Sequence, residues 1–588
     1  MNFTYKNIFH EMMKSLRQIA VVVFVCLVSL PIMSQLTIDG KRLVYDVLTN
    51  TYLLTLPDSV FGGSFTAPAV IDDTVGWVTV NNRQIRDSFT VPLVSGDISY
   101  SMSYLSGGKI KSATLRFTYL PILSLIGNFN AEYSLGSVLV TMPEEHSIQE
   151  HLARIKWAGG TTLGDDIHKH NYHLKFVDEH GLKKDVSFFG LRNDNHWRLD
   201  AGIVDMLRFR NKAAHSLWAD MDSKCYYAES EPKARSYVRG SHVEVFLNNV
   251  YMGFFDLTEF LDRKQMKLKK YNENTLQIRG VMWKTKDGNK QTLFSDWYEP
   301  DNTLENWGGF EVMYPDFDEV CPTDYTTISN AVKFVATSNE RVFAQHVGEY
   351  FDLPVLADYY VFINTLFAID NTCKNIIWGC YDQTVDKKLT LAVWDLEATC
   401  GQHWRDNEGF YHAPEIQPEN ELDEITTRFC LLSLSDLFMG LKRQQSFRWM
   451  AVNRYWTLRE TVLNPDSLVS RYEAIYRRLE AAGALDRESE RWSGDDDLAN
   501  RPMDFEGEFA YLCDWIRRRI AFMDTHTFAC LRGDVNEDGS VGVDDLTDLI
   551  NFLLGINGNV NQINADLDLD GTVGMSDITT LINRLLGM

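Results

Sequence analysis

The sequence predicts a multidomain protein with an N-terminal all-β domain, a larger α+β domain and a small α-helical module at the C-terminal end. A chain of 588 residues is too long for a single hydrophobic core. Short alternating segments dominate its first part, and apolar residues at helical spacing dominate its later part. The final 58 residues contain an internal repeat, which indicates a separate module built from two similar units.

Residues 1–34 have the composition of a secretory signal peptide. Lys14 and Arg17 precede an apolar run that begins at Ile19, and the small residue Ser34 is a suitable cleavage position. The apolar run is shorter than the roughly 18 to 20 residues that a membrane-spanning helix needs. We therefore expect a secreted or cell-surface protein with no membrane span after the signal is removed.

The overall charge argues against nucleic acid as a partner. The chain has 81 acidic and 57 basic side chains, which gives a formal net charge of −24. Sequence-independent binding to nucleic acid needs a positive field that displaces counterions. We therefore expect no nucleic-acid partner.

Residues 35–130 are predicted to form the β-rich N-terminal domain. Segments such as "WVTVNN", "DISYSMSY" and "ATLRFTYL" alternate apolar and polar residues and are separated by Asp, Gly and Asn clusters. This pattern is typical of short strands joined by turns.

Residues 131–530 are predicted to form the α+β domain, with strands mostly first and helices mostly last. In "NYHLKF", three apolar side chains alternate with His173 and Lys175, as in a strand with one buried face. The segment "SHVEVFLNNVYMGFFDLTEF" predicts a hairpin that turns at Asn248 and Asn249, since asparagine tolerates positive φ. Helical spacing occurs in "DEITTRFCLLSLSDLFMGLKRQ" and "FEGEFAYLCDWIRRRIAFMDTHTF".

Residues 531–588 contain the repeat, "DVNEDGSVGVDDLTDLINFLLG" and "DLDLDGTVGMSDITTLINRLLG", offset by 32 residues. Oxygen-bearing side chains fall at loop positions 1, 3, 5, 7 and 12, with glycine at position 6, as a tight loop around Ca²⁺ requires. Position 7 is expected to contribute its backbone carbonyl. The predicted ligands are Asp534, Asn536, Asp538, Ser540 and Asp545 in the first loop, and Asp566, Asp568, Asp570, Thr572 and Asp577 in the second.

Each loop runs directly into an apolar helix, without the entering helix of a full EF-hand. This arrangement resembles the type I dockerin family. The resemblance implies two Ca²⁺ sites and a cohesin-type protein partner. It also points to the residues before the last ligand, Val543 with Asp544 and Met575 with Ser576, as those that select the partner.

The stretch "FAIDNTCKNIIWGCYDQTVDKKLTLAVWDLEATCG" contains a candidate site for phosphoryl transfer. Asp370 is separated from Asn375 by four residues, and Asp395 follows a later apolar strand. Protein kinases use this order for a carboxylate near the attacking hydroxyl and for two metal ligands.

Five segments, the last of them within that stretch, occur in order and carry a resemblance to the CotH kinase family over roughly residues 154–528. They are "WAGGTT", "KHNYHLKF", "FFGLRNDNHWRLDAGIVDMLRFRNKAA", "VEVFLNNVYMGFFDLTEFLD" and "AVWDLEATCG". The resemblance implies an atypical kinase-like fold that uses ATP with Mg²⁺ or Mn²⁺ to phosphorylate protein hydroxyls. By that resemblance Asp370 is the catalytic base or hydroxyl-orienting residue, and Asn375 and Asp395 are metal ligands. Glu397 stands where the family's metal motif often has a second aspartate.

Two lysines are candidates for the phosphate contact. Lys175 lies on the less apolar face of its predicted strand, and a lysine neutralises phosphate as a point charge. Lys284, in "GVMWKTKDG", is the rival. Glu259, at the end of a predicted strand, is expected to orient whichever lysine binds ATP.

Two other functions remain open on the sequence. The first is a non-catalytic surface or carbohydrate-associated scaffold that keeps the CotH fold. The second is a glycosidase, because dockerins commonly accompany such enzymes and paired carboxylates are not recognisable from sequence alone.

Overall fold

The computed structural model describes residues 36–164, 167–405, 409–412, 416–423, 434–495, 501–556 and 560–587. The predicted signal peptide, residues 1–34, lies outside the described residues.

Two sheets form the N-terminal β domain, in agreement with its predicted β-rich character. In β6, for example, Val78 and Val80 are buried and Thr79 between them is partly exposed, so one face of the strand turns towards the core. One sheet has the order β2-β1-β5-β8 and the other the order β3-β4-β10-β9-β6-β7. The strands are β1 (Leu36–Ile38), β2 (Lys41–Arg42), β3 (Val44–Asp46), β4 (Thr51–Thr55), β5 (Phe65–Ile71), β6 (Val75–Val80), β7 (Arg83–Ile85), β8 (Ser88–Val91), β9 (Tyr100–Ser106) and β10 (Lys109–Thr118).

Seven strands then form a closed barrel in the order β11-β12-β13-β14-β15-β17-β16. The parallel pairing of β11 with β16, with Leu123 opposite Val245, closes it. The strands are β11 (Ile122–Ile126), β12 (Ser134–Thr141), β13 (Ile148–Ala158), β14 (Asn171–Val177), β15 (His196–Asp200), β16 (Gly240–Leu247) and β17 (Val250–Glu259), accompanied by helices α1 (Arg210–Asp220) and α2 (Arg263–Met266).

The start of the barrel moves the domain boundary. Residues up to 130 are predicted from the sequence to belong to the N-terminal domain, but β11 pairs with β12 and β16 of the barrel. Its pairing partners follow it by up to about 120 residues in the chain, a separation that local alternation does not reveal. We therefore propose a boundary between Thr118 and Ile122.

Two local predictions within the barrel are confirmed. In β14, Tyr172, Leu174 and Phe176 are buried while the residues between them are partly exposed. β16 and β17 form the predicted hairpin, and its turn residues Asn248 and Asn249 have φ of 50° and 66°.

The second half of the α+β domain combines a five-stranded sheet with most of the helices. The sheet has the order β19-β20-β18-β21-β22. Its strands are β18 (Val281–Thr285), β19 (Asn306–Trp307), β20 (Phe310–Tyr314), β21 (Ile376–Cys380) and β22 (Thr390–Val393), and a separate hairpin has β23 (Gln402–Arg405) and β24 (Gly409–His412).

The helices of this half pack around one continuous hydrophobic core that also includes the barrel interior. Helix α5 is buried along almost its whole length, which explains its apolar sequence "LPVLADYYVFINTL". The helices are α3 (Thr326–Thr337), α4 (Glu340–Tyr350), α5 (Leu353–Leu366), α6 (Asp436–Arg443), α7 (Gln445–Arg459), α8 (Pro465–Ala481), α9 (Ala484–Trp492) and α10 (Phe505–Thr525). Helices α6 and α10 fall on the two segments predicted from helical spacing, although residues 424–433 of the first segment lie outside the described residues.

The C-terminal module has a small core of its own. Helix α11 (Val543–Leu553) follows the first loop, and α13 (Met575–Leu585) follows the second, with the short α12 (Gln562–Ala565) between them. Val535, Leu549, Leu567 and Leu581 pack together between the two repeats. Within the described ranges, each helix of the protein is too short or too polar to cross a membrane.

Candidate active site

Three of the predicted site residues meet at one end of the β21–β22 pair. Asn375 directly precedes β21, and Asp395 follows β22. These strands run antiparallel with Ile376 opposite Val393, so the start of one lies beside the end of the other. Asp370 lies on a 3₁₀ turn just before Asn375.

Hydrogen bonds hold this group of residues in place. Asn375 Nδ2 donates to Asp370 Oδ2 at 2.8 Å, and Lys374 Nζ donates to the same oxygen at 3.0 Å. Asn371 is fully buried and its Nδ2 donates to the carbonyl of Trp394 at 2.8 Å. The 3₁₀ turn is therefore hydrogen-bonded both to the start of β21 and to the segment after β22.

The backbone at both predicted metal ligands is in the left-handed region. The φ angle is 55° at Asn375 and 58° at Asp395. Asparagine and aspartate adopt this conformation more readily than other non-glycine residues, yet it still costs free energy. Such conformations occur often at functional sites, where they aim a side chain that regular strand geometry would direct elsewhere.

The carboxyl group of Asp370 has a perturbed acidity. Burial raises the pKa of Asp370, and the ion pair with Lys374 opposes that rise. The neighbouring carboxylate of Asp395 adds to it. A raised pKa lies closer to neutral pH and makes the carboxylate a stronger base. This suits a residue that accepts a proton from a hydroxyl group.

A cavity of about 1380 Å³ separates this group from the barrel. The barrel wall is basic and the opposite wall is mixed in charge. The barrel side includes Lys156, His173, Lys175, His196 and Arg198, and the opposite side includes Lys284, Asp370, Lys374, Asn375, Asp395 and Glu397.

Arg198, a buried arginine on β15, is not among the site residues predicted from the sequence. Its guanidinium lies 5.1 Å from the ring centroid of Trp394, and its Nη2 lies 3.8 Å from Asp200 Oδ1. Burial alone would lower the pKa of Arg198, but the charges of Asp200 and Asp395 raise it. Its Nε has no hydrogen-bond partner among the described residues. The alternation in "HWRLD", with Trp197 and Leu199 on the apolar face, is the signal that would have placed Arg198 on the cavity side.

The two candidate lysines lie on opposite walls of the cavity. Lys284 Nζ is 5.8 Å from the ring centroid of Trp394. Burial lowers the pKa of Lys284, and the charge of Asp395 opposes that effect. Lys175 Nζ is 4.7 Å from the ring centroid of Tyr133 on the barrel wall. Lys284 is thus the lysine on the Asp395 side, and the role of either lysine in binding phosphate stays a prediction.

The structure places Glu259 in a different environment from the predicted one. Instead of a lysine, its carboxylate faces Arg239 Nη2 at 2.7 Å and Arg235 Nη1 at 3.0 Å, and it accepts a bond from the Arg192 backbone N–H at 2.9 Å. Burial alone would raise the pKa of Glu259, but Arg239 and Arg235 hold it at about 2. These arginines neutralise the buried carboxylate of Glu259, so its charge is paired with arginine and not with the lysine that the sequence predicts.

Glu397 lies beside the predicted metal ligands. It is buried, and burial raises its pKa well above the usual value, with Asp200 and Asp395 adding to the rise. Carboxylate and amide oxygens are ligands that suit Mg²⁺ or Mn²⁺. Asn375 and Asp395 offer such oxygens, and Glu397 adds a carboxyl group that is close enough to interact with the charge of Asp395.

The two C-terminal loops have closely matched hydrogen bonds. Gly539 and Gly571, at position 6, have φ of 89° and 85°, where a side chain would be strained. Asp545 accepts bonds from the N–H groups of Val535 and Gly542, both at 2.7 Å. In the second loop Asp577 accepts the equivalent bonds from Leu567 at 2.7 Å and Gly574 at 2.8 Å.

Position 5 is braced by position 7 in both loops. Ser540 Oγ donates to Asp538 Oδ1 at 2.7 Å, and Thr572 Oγ1 donates to Asp570 Oδ1 at 2.7 Å. In the first loop Asn536 Oδ1 accepts the backbone N–H of Asp538 at 3.0 Å.

The second loop brings three predicted ligands together. Carboxylate oxygens of Asp566, Asp568 and Asp570 lie within 4.8 Å of one another. An all-oxygen set around a glycine turn fits a hard cation such as Ca²⁺.

Comparison with known protein families gives two matches. The family described as CotH kinase protein matches residues 159–523, which is more than half of the chain. The family described as dockerin type I domain matches residues 532–586. Both matches fall on the segments whose resemblance the sequence analysis described, and that prediction is confirmed.

The similarities to solved structures are too weak to indicate a fold. No curated protein matches the chain. Among solved structures, a titin fragment is 10% identical over 23% of this chain and 95% of its own, with a TM-score of 0.08. The titin domains z1z2 in complex with telethonin are 12% identical over 25% of this chain and 91% of their own, also with a TM-score of 0.08.

Proposed function

This chain belongs to the CotH kinase protein family and ends in a type I dockerin domain, and on that premise we propose that it is an atypical protein kinase of the cell surface or exterior. It transfers phosphate from ATP to protein hydroxyls. Its tail binds Ca²⁺ and attaches it to a cohesin-type partner. The observation that carries the proposal is the cavity in which a basic wall faces Asp370, Asn375 and Asp395.

Asn375 and Asp395 are the proposed ligands of Mg²⁺ or Mn²⁺, with Glu397 as a further oxygen donor. The hydrogen bond from Asn375 to Asp370 orients the Asn375 side chain, and the left-handed backbone at both ligands sets the direction in which each side chain leaves the main chain. When bound, the metal neutralises charge on the phosphate oxygens.

Arg198 and Lys284 are the proposed phosphate contacts from the protein itself. Both lie beside Trp394 and next to the charge of Asp395. Arg198 presents a planar fork of N–H donors, and Lys284 presents a compact point charge. Lys175 and Lys156, farther along the barrel wall, extend the same positive field.

Asp370 is the proposed acceptor of the hydroxyl proton. Its carboxylate is held by Lys374 and Asn375 and borders the cavity. An orienting base acts on the attacking hydroxyl and contributes little to nucleotide affinity.

The tail is the proposed site of attachment. Val543 and Met575, which begin the two repeat helices, are 70% and 71% exposed. Large apolar side chains on the surface at equivalent positions of both repeats are suited to contact a protein partner.

Nucleotide binding tests the proposal and separates a kinase from a scaffold. Calorimetry of the full chain with ATP should show binding that requires Mn²⁺ or Mg²⁺. Asp395→Ala should lose the metal-dependent part, whereas Asp370→Ala should keep it. Asp466→Ala is a matched control, because that carboxylate is 86% exposed on helix α8.

The opposite results are equally informative. Absence of ATP binding in the parent protein would favour the non-catalytic scaffold. Equal loss of affinity in Asp395→Ala and Asp466→Ala would remove Asp395 from the site.

A further inference from the structure

The second loop of the tail contacts helix α7 of the kinase-like domain. Trp449 Nε1 donates to Asp566 Oδ2 at 3.2 Å, and Asn453 Nδ2 donates to the same oxygen. One turn farther along the helix, Trp456 lies 5.3 Å from the guanidinium of Arg532 in the tail. The first ligand position of this loop is therefore held by side chains from another domain.

The two oxygens of Asp566 have different surroundings. Oδ2 accepts the bonds from α7 and also one from the backbone N–H of Gly571 at 3.1 Å. Oδ1 is buried and has no hydrogen-bond partner among the described residues. The side chain is fully buried, and its carboxylate lies with those of Asp568 and Asp570. A buried carboxylate oxygen without a partner is costly unless a cation or donor completes it.

The first loop lacks this asymmetry. Asp534 occupies the equivalent position, and its oxygens accept the backbone N–H groups of Asp538 at 3.0 Å and Gly539 at 2.9 Å. Both donors belong to the loop itself. The two loops share their length and the glycine at position 6 but differ at position 3, which is Asn536 in the first and Asp568 in the second, so the contact with α7 is one of the differences between them.

We propose that the second calcium site is a composite of two domains, in which Trp449 and Asn453 position Asp566 for Ca²⁺. The inference rests on the proposed calcium binding of the tail. Donors in the outer shell of a metal site orient the ligand and raise its affinity. Because such coupling is reciprocal, Ca²⁺ in the second loop also strengthens the contact of the tail with α7.

Calcium binding at the composite site also sets the orientation of the tail. Calcium in the second loop fixes the tail against the kinase-like domain, while the first loop contributes to folding of the module alone. Val543 and Met575 stay exposed in this position. The tail therefore keeps its apolar surface open to a partner while it is docked.

Terbium luminescence tests the composite site in the full chain. Tb³⁺ occupies calcium sites, and its emission is sensitised by a tryptophan or tyrosine only over a short distance. Residues 531–588 contain neither residue type, so sensitised emission requires an aromatic ring from another domain. We expect strong emission in the parent protein and its loss in Trp449→Phe, with Trp456→Phe retaining most of it.

Matched ligand variants assign the emission to one loop. Asp570→Ala should abolish it, whereas the equivalent Asp538→Ala should preserve it. Emission that survives Trp449→Phe at full strength would overturn the proposal. So would Tb³⁺ that binds, as judged by competition with Ca²⁺, without sensitised emission.

Calcium affinity supplies the second measurement. In an Asp538→Ala background, which isolates the second loop, Asn453→Leu should weaken Ca²⁺ binding by about tenfold. In an Asp570→Ala background the same substitution should leave the first loop unchanged. Equal affinities with and without Asn453→Leu would contradict the composite site. Failure of the parent protein to bind Ca²⁺ at all would instead remove the proposed calcium binding, and the composite site with it.

Discussion

At the scale of single residues, the candidate site is a balance of buried charges. Arg198 and Lys284 lie among the carboxylates of Asp200, Asp395 and Glu397. Buried charges are tolerated when they are paired, and a metal–nucleotide complex carries both signs of charge. A site that already holds charges of both signs can accept such a complex by exchanging ion pairs within the protein for ion pairs with the ligand.

The positions of the two lysines give a prediction about phosphate binding. Lys284→Met should lower phosphoryl transfer by about 100-fold, as expected when a positioned electrostatic contact is removed from a water-poor site. Lys175→Met should cause a smaller loss, because Lys175 lies on the opposite wall. Initial rates with labelled ATP measure both effects. A larger loss in Lys175→Met would restore Lys175 as the phosphate contact.

Asp352 gives a prediction about stability and pH. This carboxyl is buried at the start of helix α5, and burial raises its pKa to about 6, although it accepts the Tyr226 N–H at 2.8 Å. Because the pKa in the folded state lies above the unfolded value of 3.8, the protonated form of Asp352 favours the folded protein. Its contribution to the free energy of unfolding is complete below about pH 4. It is lost as the pH rises through about 6.

Asp352→Asn should therefore gain stability relative to the parent between pH 4 and pH 7, by about 3 kcal/mol for a shift of this size. Melting temperatures of both proteins at each pH measure the difference. The exposed substitution Asp466→Asn serves as the control. A constant difference between Asp352→Asn and the parent would contradict the shifted pKa.

At the scale of elements, helix α9 joins the barrel to the rest of the protein. Glu488 on this helix is fully buried and accepts bonds from Lys169 Nζ at 2.7 Å and Arg208 Nε at 3.0 Å. A Cβ atom on Gly253 of β17 would lie 1.9 Å from Glu488 Oε2, and φ at Gly253 is 93°. Glycine is thus required where the carboxylate approaches the strand.

This buried network predicts unequal costs for two substitutions on the same helix. Glu488→Ala should destabilise the protein by about 3 to 5 kcal/mol, because two buried cations lose their carboxylate. Glu490→Ala should cost less than about 1 kcal/mol, since its pair with Arg116 is partly exposed. Urea or thermal unfolding of the two variants gives the comparison. Similar losses would show that the buried network contributes no more than a surface pair.

Local patterns predicted some of these elements and missed others for a physical reason. The strand of "NYHLKF" and the turn at Asn248 and Asn249 depend on neighbouring residues, so alternation and turn chemistry were sufficient. The pairing of β11 with β16 depends on a distant partner. Likewise, Arg198 meets the charge of Asp395, and Glu259 meets Arg235, only after the chain has folded. The sequence therefore located Asp370, Asn375 and Asp395 together and named Lys284 as a candidate cation, but it did not reveal Arg198.

At the scale of the whole molecule, the proposed activity and attachment lie in separate parts of one chain. The cavity lies between the barrel and the five-stranded sheet, while the tail contacts helix α7. The tail has ten acidic and two basic side chains, so its net charge of −8 is a third of the chain's net charge of −24. Bound Ca²⁺ would offset much of that repulsion.

The N-terminal composition predicts export. We expect the mature protein to begin after Ser34, because basic, apolar and small residues follow one another in the order of a cleaved signal. Mass spectrometry of the protein recovered from its native location identifies the first residue. An intact Met1 in protein recovered from the cytoplasm would contradict export.

Transfer of labelled phosphate from ATP tests the central claim most directly. The purified full chain, incubated with ATP and Mn²⁺ or Mg²⁺, should incorporate label into itself or into an added protein on serine or threonine. Asp395→Ala and Asp370→Ala should abolish or sharply reduce incorporation, while Asp466→Ala should leave it unchanged. Incorporation that is equal in all four proteins would remove Asp370 and Asp395 from the mechanism, and no incorporation by a parent protein that binds ATP would contradict the kinase function.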